Sequence, residues 1–543
     1  MTIIGVSRPA TREISVGSLL WLGLGSGFVL LRLAGLLSIP VGGAELDSLS
    51  GAWQAHAGHT DSRFVPTLFQ GVTAASFSFT NSEVPARILA LLASLSVPFA
   101  LHRLRLSFGD VAMLAALLLL ALDPGAILFG STATASGLDV AAVLWLLVLA
   151  REERTAPWLY GIAAFVGATC GGIVLPLVVG VAALRLVQQD YPGRVTAGWA
   201  AGGAILGVAA ASLGFGFGWD GPTISPIAAF GAGFDNDWSS EHTRYLALLY
   251  SLPLILGALG AIAAQVYRGW RDDDRSGLEL PLYTWFGAAM LWLIAASGSH
   301  DPSPLAAVAI PAALIIGLEV PGIVTMFQRV DWRYAAGVLG GMLLCLGVIE
   351  AYVVDWARVN RPGSTDDKLI VTGVAIAVLA CFGLLFSSRR TFGAAVVPPA
   401  FVGALLLVSG ASGVAFGGPN EPLPSPAATA QGDEIRTIVQ SARKEKGGQI
   451  VVHPSFEQSM TWALRDTSGV VVANRIPGDA TAVVWPVTEA APEGYAVVEG
   501  QWSFTEIRRG PDGGFLTYLR WLSNRNSLKN AAAPLAVYLK AGQ

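Results

Sequence analysis

Residues 45–53 read Glu-Leu-Asp-Ser-Leu-Ser-Gly-Ala-Trp and follow directly on the first long apolar run of the chain. The stretch places two carboxylates, Glu45 and Asp47, at the point where an apolar helix would leave a bilayer. Because ionised carboxylates are costly near lipid, such residues are candidates for function. The alternative is that Asp47 only caps a helix running to about Gly58, by accepting hydrogen bonds from its free N–H groups.

The composition is that of an integral membrane protein. Of the 543 residues, 53% are hydrophobic and only 13% are charged, whereas soluble domains carry about 25% charged residues. The first apolar run, 16–39, is too long for a signal peptide and has no small-residue cleavage site, so we expect it to stay as a transmembrane helix. The net charge of −4 does not indicate a nucleic-acid partner.

Apolar runs recur along the chain and predict a polytopic α-helical membrane protein with about thirteen transmembrane helices. The predicted spans are 16–39, 84–104, 109–123, 137–150, 157–171, 173–187, 194–217, 243–267, 279–298, 302–327, 334–356, 369–386 and 392–416. The region 157–187 could be one long helix or two short helices broken at Gly171-Gly172.

Charge alternates between successive loops and predicts the orientation. Arginines precede the first span and recur in every second loop, while the intervening loops carry Asp and Glu. Since positive loops are cytoplasmic, we expect a cell-membrane protein with a cytoplasmic N-terminus and an extracytoplasmic C-terminal domain. The alternation needs the break at Gly171-Gly172, which favours two helices there.

The predicted domains are a transmembrane domain over 1–417, a linker over 418–430 and an extracytoplasmic α/β domain over 431–543. The transmembrane domain has two long outer loops, 40–83 and 218–242. In the first, the Phe-rich segment after Pro66 predicts a helix that lies in the membrane interface or re-enters it. In the α/β domain, short buried-strand runs alternate with helical segments, as in a sheet covered by helices.

A hydrophobic chain with many spans and an acidic motif, 45–53, in its first outer loop resembles the GT-C glycosyltransferase superfamily. Members of this superfamily take a sugar from a polyprenyl-phosphate carrier. Within it, the chain is similar to the protein mannosyltransferase-like proteins that use dolichyl-phosphate-mannose, and to the flippase-activity-associated glycosylation family. That family carries an Asp-Glu pair followed by Ala-Trp; here Asp47 matches the Asp, and Ala52 and Trp53 match the Ala-Trp. The Ala-Leu-Asp-Pro at 121–124 and the Trp-Ala-Leu-Arg-Asp at 462–466 are also similar to family motifs.

The sequence departs from the family pattern at three places. Ser48 stands where the family has Glu, and the segments 131–136 and 301–305 lack the basic residues found in relatives. Since phosphate recognition normally uses Arg or Lys, the alternative function is a catalytically inactive GT-C scaffold, or a protein that binds lipid-linked sugar or assists a flippase.

The resemblance implies roles for six residues. Asp47 would be the general base, assisted by Glu45, and Asp139 would orient an acceptor or a divalent cation. Arg87 and His300 would contact the lipid phosphate, and Trp53 would belong to the substrate site. The plainer alternatives are an interfacial Arg87 and a solvated loop His300. The implied partners are a lipid-linked sugar donor, membrane lipid and an unidentified acceptor, with no nucleic acid.

Overall fold

The computed structural model describes the following residues: 16–39, 41, 44–58, 67–151, 156–178, 194–216, 225–232, 250–271, 279–295, 303–328, 392–416, 429–498, 500, 502–505 and 532–541. The predicted spans 334–356 and 369–386 lie outside them, as does His300. The number of thirteen spans therefore stays a prediction.

The first part of the chain is helical throughout the described residues. Its helices are α1 (Val16–Ser38), α2 (Ala44–His56), α3 (Leu68–Ser76), α4 (Val84–Leu95), α5 (Val97–Phe108), α6 (Asp110–Leu122), α7 (Pro124–Phe129), α8 (Ala135–Arg151), α9 (Pro157–Thr169), α10 (Arg194–Ser212), α11 (Ser225–Ala232), α12 (Leu252–Arg271), α13 (Leu280–Ala295), α14 (Ser303–Gln328) and α15 (Phe392–Ala415). A short 3₁₀ turn, Gly214–Gly216, follows α10.

Among the described residues, five helical stretches are long and apolar enough to cross a membrane: Val16–Leu37, Val84–Phe108, Arg194–Ser212, Leu252–Trp270 and Ser303–Thr325. Each coincides with a predicted span. The second is not one regular helix, because α4 ends at Leu95 and α5 begins at Val97. Pro98 in the first turn of α5 lacks the N–H that would continue the helical hydrogen bonds.

Helices α9 and α10 pack side by side through glycines. A side chain at Gly203 would strike the Gly161 carbonyl oxygen, and one at Gly207 would strike Ala168. Because residue numbers rise together along the two helices, α9 and α10 run parallel. Helix α9 ends at Thr169 and helical structure resumes at 174–178, which agrees with the predicted break at Gly171-Gly172.

The main core lies between α1, α5, α6, α8, α12, α13 and α14. Helix α14 approaches α6 closely at Gly317, where any side chain would meet the Ala112 carbonyl oxygen. Arg268 of α12 donates to both carboxylate oxygens of Glu319 in α14. Small residues and a paired charge thus hold helices that have little hydrophobic driving force to associate within lipid.

The C-terminal part contains a mixed sheet with helices on one face. Its helices are α16 (Thr429–Lys446) and α17 (Glu457–Ala463), the latter preceded by a 3₁₀ turn (Pro454–Phe456). Its strands are β1 (Gln449–Val452), β2 (Val470–Val472), β3 (Ala480–Pro486), β4 (Tyr495–Val497), β5 (Trp502–Thr505) and β6 (Ala532–Lys540). Helix α16 ends where Gly447 and Gly448 both adopt positive φ, at 67° and 87°, which glycine allows without strain.

The strand order is β2-β1-β3-β6-β4, and β5 also pairs with β6. Strand β1 is parallel to β2 and β3, whereas β6 is antiparallel to its neighbours. Every residue of β3 is buried, because alternate side chains face two apolar clusters. Ala482 and Val484 face α16 and α17, and Val483 and Trp485 face the opposite side. The domain bounds predicted from the sequence, a linker over 418–430 and an α/β domain over 431–543, stay a prediction.

Candidate functional site

Helix α2 carries the acidic stretch, and it starts earlier than the capping alternative requires. It begins at Ala44, so Asp47 is its fourth residue and does not cap it. The capping interpretation of Asp47 is therefore wrong. The backbone of Asp47 lies in the first turn of α2, where the free N–H groups of the helix favour a negative charge; its side chain is outside what the structure describes.

Glu45 forms a buried, forked ion pair with Arg87 of α4. Arg87 donates from Nε to Glu45 Oε1 and from Nη2 to Oε2, both at 2.7 Å. Only 2% of Glu45 and 8% of Arg87 is exposed. Forked Arg–carboxylate pairs are strong and geometrically specific. The pair therefore fixes the start of α2 against α4.

Two further sets of bonds extend this anchor. Arg87 Nη1 donates to the carbonyl of Ile39 at 2.9 Å and to that of Leu36 at 3.4 Å, which ties it to the end of α1. Glu45 Oε1 also accepts the Ala133 N–H at 2.7 Å, just before α8. Glu45 and Arg87 thus join α1, α2, α4 and the segment before α8.

Burial raises the pKa of Glu45, and the hydrogen bonds from Arg87 and from the Ala133 N–H oppose that rise. The fork needs two acceptor oxygens, so its geometry is that of the ionised carboxylate. With both oxygens bonded to Arg87, Glu45 is suited to holding α2 in place rather than to taking a proton from a substrate.

Helix α3 lies on α2 and presents one buried face. Thr67 caps it by accepting the Gln70 N–H at 3.2 Å, and Phe69 and Phe77 are buried. Val72 and Phe79, by contrast, are exposed. The segment after Pro66 therefore contains a helix with exposed apolar side chains; its depth relative to the membrane stays a prediction.

Several buried polar atoms around α2 and α3 have no hydrogen-bond partner among the described residues. They are Ser48 Oγ, Ser50 Oγ, Gln54 Oε1, Gln70 Oε1, Thr73 Oγ1 and Thr134 Oγ1. A buried polar group without a partner costs about 1–3 kcal/mol, so such groups usually meet water or a ligand. Hydroxyl and amide groups can form hydrogen bonds with the hydroxyl groups of a sugar.

An aromatic layer covers the second half of α2. The ring of Trp53 meets that of Phe77 edge-on with centroids 5.2 Å apart, and it lies 6.0 Å from the ring of His56. Phe77 in turn lies 6.0 Å from Trp462 of the C-terminal part. Trp53 is only partly buried, so it keeps a face available beside α2.

Two predicted site residues remain: Asp139 lies elsewhere in the fold, and His300 lies outside the described residues. Asp139 is buried in α8, where its Oδ1 accepts the Gly171 N–H at 2.8 Å and supports the turn after α9. Within the described ranges, no three His, Cys, Asp or Glu side chains are grouped to hold a metal ion. The structure thus brings Glu45, Arg87 and α2 together and places Asp139 on a separate contact.

A polar contact joins the C-terminal part to the loop 40–83, and the sequence did not predict it. Arg465 donates from Nε and Nη2 to the Asn81 carbonyl oxygen, at 3.0 and 2.8 Å. Asn81 Nδ2 donates to Asp466 Oδ1 at 2.8 Å. The family-like motif at 462–466 marked Arg465 and Asp466 in the sequence. Their partner Asn81 lies 384 residues from Arg465, so the spacing of the motif could not identify it.

Comparison with solved structures identifies relatives in fold. ArnT from Cupriavidus metallidurans bound to undecaprenyl phosphate is 13% identical with a TM-score of 0.53, covering 97% of this chain and all 100% of ArnT. Its apo state gives 14% and 0.49, covering 97% and 98%. The Archaeoglobus fulgidus oligosaccharyltransferase in the apo form gives 13% and 0.42, covering 88% and 70%.

Only the first of these likenesses has a TM-score high enough to carry a conclusion about the fold. No family model and no curated protein matches the sequence significantly. ArnT is a GT-C glycosyltransferase, and the oligosaccharyltransferase belongs to the same superfamily. The narrower family suggested by the motifs stays a prediction. The chain has the GT-C membrane fold.

Proposed function

We propose that this protein is a membrane glycosyltransferase that transfers a sugar from a polyprenyl-phosphate carrier to an acceptor, with Asp47 as the general base. The observation that carries the proposal is the anchored helix α2. The buried Glu45–Arg87 fork holds the start of this helix at the end of α1, in a chain whose fold is similar to that of ArnT over 97% of its residues. The solved ArnT structure contains undecaprenyl phosphate, which supports a lipid-linked donor for this fold.

The proposed reaction is a single displacement. The Asp47 carboxylate takes the proton of an acceptor hydroxyl, whose oxygen attacks the anomeric carbon of the sugar. The bond from that carbon to the phosphate oxygen breaks, and the lipid phosphate leaves with the electron pair. A positioned carboxylate base contributes about 10²–10⁴-fold to such a step.

The remaining predicted residues take supporting roles in this proposal. Glu45 and Arg87 act through α2, because each is already bonded to the other. We keep His300 as the proposed phosphate contact and Asp139 as the residue that orients an acceptor or a divalent cation. Trp53 would offer its partly exposed ring to the sugar, as aromatic rings commonly pack on apolar surfaces.

A second function, an inactive scaffold that binds lipid-linked sugar, is favoured by one observation. The guanidinium of Arg87 donates to Glu45, Ile39 and Leu36, so it has little capacity left for a phosphate. Both functions place the donor beside α2; they differ in whether sugar is transferred.

The test compares the parent chain with Asp47→Asn in membrane extracts supplied with radiolabelled polyprenyl-phosphate sugar. We expect the parent to move label to an acceptor fraction or to water, and Asp47→Asn to lose about 10²–10⁴-fold of that rate. Retained binding of the labelled lipid without any transfer by the parent would support the scaffold. Equal transfer by both proteins would remove Asp47 as the base.

The orientation is part of the proposal. An N-terminus in the cytoplasm and a C-terminal domain outside the cell membrane would place α2, and the α17 contact with Asn81, on the extracytoplasmic side. The alternating arginine loops support this orientation.

A further inference from the structure

We propose that helix α17 is a positioning element for sugar transfer: Trp462 and Arg465 fix the second half of α2 and thereby the direction of the helix that carries Asp47. This inference rests on the proposed function, since it gives a role in that reaction to residues of the C-terminal part. It concerns the α17 contact surface, which consists of Trp462, Arg465 and Asp466 against Asn81, Phe77 and α2.

The apolar part of this surface reaches α2 directly. Trp462 lies in the short helix α17 and is only 4% exposed. It belongs to the same buried cluster as Leu49 and Ala52 of α2 and as Phe69 and Phe77 of the following segment. An indole buried against another part of the chain excludes water there and contributes most of the contact.

The aromatic contacts continue from Trp462 to the acidic helix. Its ring lies 6.0 Å from Phe77, and Phe77 meets Trp53 edge-on at 5.2 Å. Trp53 stands on α2, after Asp47 in the same helix. Rings in edge-on packing resist displacement because they are close-packed. A shift of Trp462 would therefore be transmitted to α2 through Phe77.

The polar part of the surface sets the position of Trp462. The Arg465 guanidinium lies 4.0 Å above the Trp462 ring and donates from Nη1 to the Trp462 carbonyl at 2.8 Å. The same guanidinium donates twice to the Asn81 carbonyl. Arg465 thus holds both the ring and the loop that the ring contacts.

Helix α2 needs this second contact because its first anchor lies at one end. The Glu45–Arg87 fork fixes the N-terminal turn by hydrogen bonds. The rest of α2 is held by apolar packing, in the cluster that Trp462 shares with Leu49, Ala52 and Phe77. Contact with α17 near Ala52 and Trp53 supplies the other fixed point. Misplacement of a catalytic group by about 1 Å can lower a rate by about 10²-fold, so the direction of α2 matters for Asp47.

The test uses the full chain in detergent and three variants: Trp462→Ala, Trp462→Phe and Arg465→Ala. The control is Arg443→Ala, because the partners that the Arg443 side chain has among the described residues are Ser468 and Gly448, both within the C-terminal part. Hydrogen exchange is followed at the Ala57 N–H, which donates to the Trp53 carbonyl at 2.9 Å, and in the buried strand β3.

We expect Trp462→Ala to raise exchange at the end of α2 while β3 stays protected, and to lower kcat by about 10- to 10²-fold with an unchanged KM for the lipid-linked donor. Trp462→Phe should keep most of the exchange protection of α2 and most of kcat. Arg465→Ala should raise exchange and lower kcat by less than Trp462→Ala does. Arg443→Ala should change neither.

Unchanged exchange in α2 in both Trp462→Ala and Arg465→Ala would overturn the inference, whatever the activity. Raised exchange with an unchanged kcat would overturn it as well, because α17 would then be only a structural contact. If the parent chain transfers no sugar, the proposed function fails, and the positioning role that depends on it is overturned with it. Raised exchange would then leave only a structural contact between α17 and α2.

Discussion

Arg87 and Glu45, 42 residues apart in the chain, meet through two hydrogen bonds of 2.7 Å in a place that excludes water. A buried pair of this kind is strongly destabilising when one partner is removed, because the other charge stays buried without compensation. The pair therefore gives a direct measure of how firmly the start of α2 is held.

Glu45→Ala should destabilise the protein by about 3–5 kcal/mol, since the Arg87 charge loses both acceptor oxygens. Thermal unfolding in detergent measures this loss as a lowered midpoint. The exposed pair Arg105–Asp110, at 3.3 Å, is the control: Arg105→Ala should change the stability by about 1 kcal/mol or less. Equal effects of the two variants would mean that the Glu45–Arg87 fork is not buried as described.

Asp47→Asn and Glu45→Gln should separate catalysis from positioning. Asp47→Asn keeps the size of the side chain and should lower transfer by about 10²–10⁴-fold while the unfolding midpoint is unchanged. Glu45→Gln should lower transfer only together with the midpoint, because it weakens the Arg87 fork. If Glu45→Gln abolished transfer in a protein of unchanged stability and Asp47→Asn did not, the base would be Glu45.

Gly203→Ala tests the parallel packing of α9 and α10. Its added methyl group would meet the Gly161 backbone, which cannot move aside as a side chain can. We expect a loss of about 1–3 kcal/mol. The neighbouring Gly202→Ala is the matched control, because nothing lies within 4 Å of its added carbon, and alanine favours the helix. A neutral Gly203→Ala would show that α9 and α10 do not approach at this point.

The predicted orientation is tested with single introduced cysteines. Ser276 belongs to a predicted cytoplasmic loop that contains arginines, so the cysteine of Ser276→Cys should resist an impermeant thiol reagent in intact cells. The cysteine of Gly513→Cys, in the predicted extracytoplasmic domain, should react with it. Labelling is compared with that of the parent chain, whose cysteines are Cys170, Cys345 and Cys381. The reverse pattern would place the C-terminal part in the cytoplasm.

The parts of the fold that the sequence could predict are those with local patterns. The apolar run at 16–39 and the buried strand around Val483 are continuous in the chain, so composition alone located them. The break before Val97 also had a local signal in Pro98, which the hydropathy of the run obscured. The GT-C resemblance, drawn from short motifs, is confirmed at the level of the fold by ArnT.

The site could be predicted only in part, because its contacts join distant residues. Nothing local showed that Glu45 would bind Arg87, so Glu45 was predicted as a catalytic assistant and Arg87 as a phosphate contact. The contact of Asn81 with Arg465 spans 384 residues. The alternative prediction, that Asp47 caps the helix, was wrong for a local reason. Ala44 and Glu45 favour helix, so the helix starts at Ala44, about one turn before the position that a cap at Asp47 requires.

The place of β6 in the sheet has a consequence for biosynthesis. Among the described strands, β6 is the last to leave the ribosome, and it lies between β3 and β4. Until residues 532–540 emerge, β3 has no neighbour on one side, and its buried Val483 and Trp485 lack the cover of Ala536 and Tyr538. The membrane helices are synthesised long before this, so α2 has its Glu45–Arg87 fork and its packing on α3 before the sheet that supports α17 is complete. Ribosome stalling or proteolysis before Ala532 would leave a membrane-inserted chain whose α17 has no completed sheet to support it.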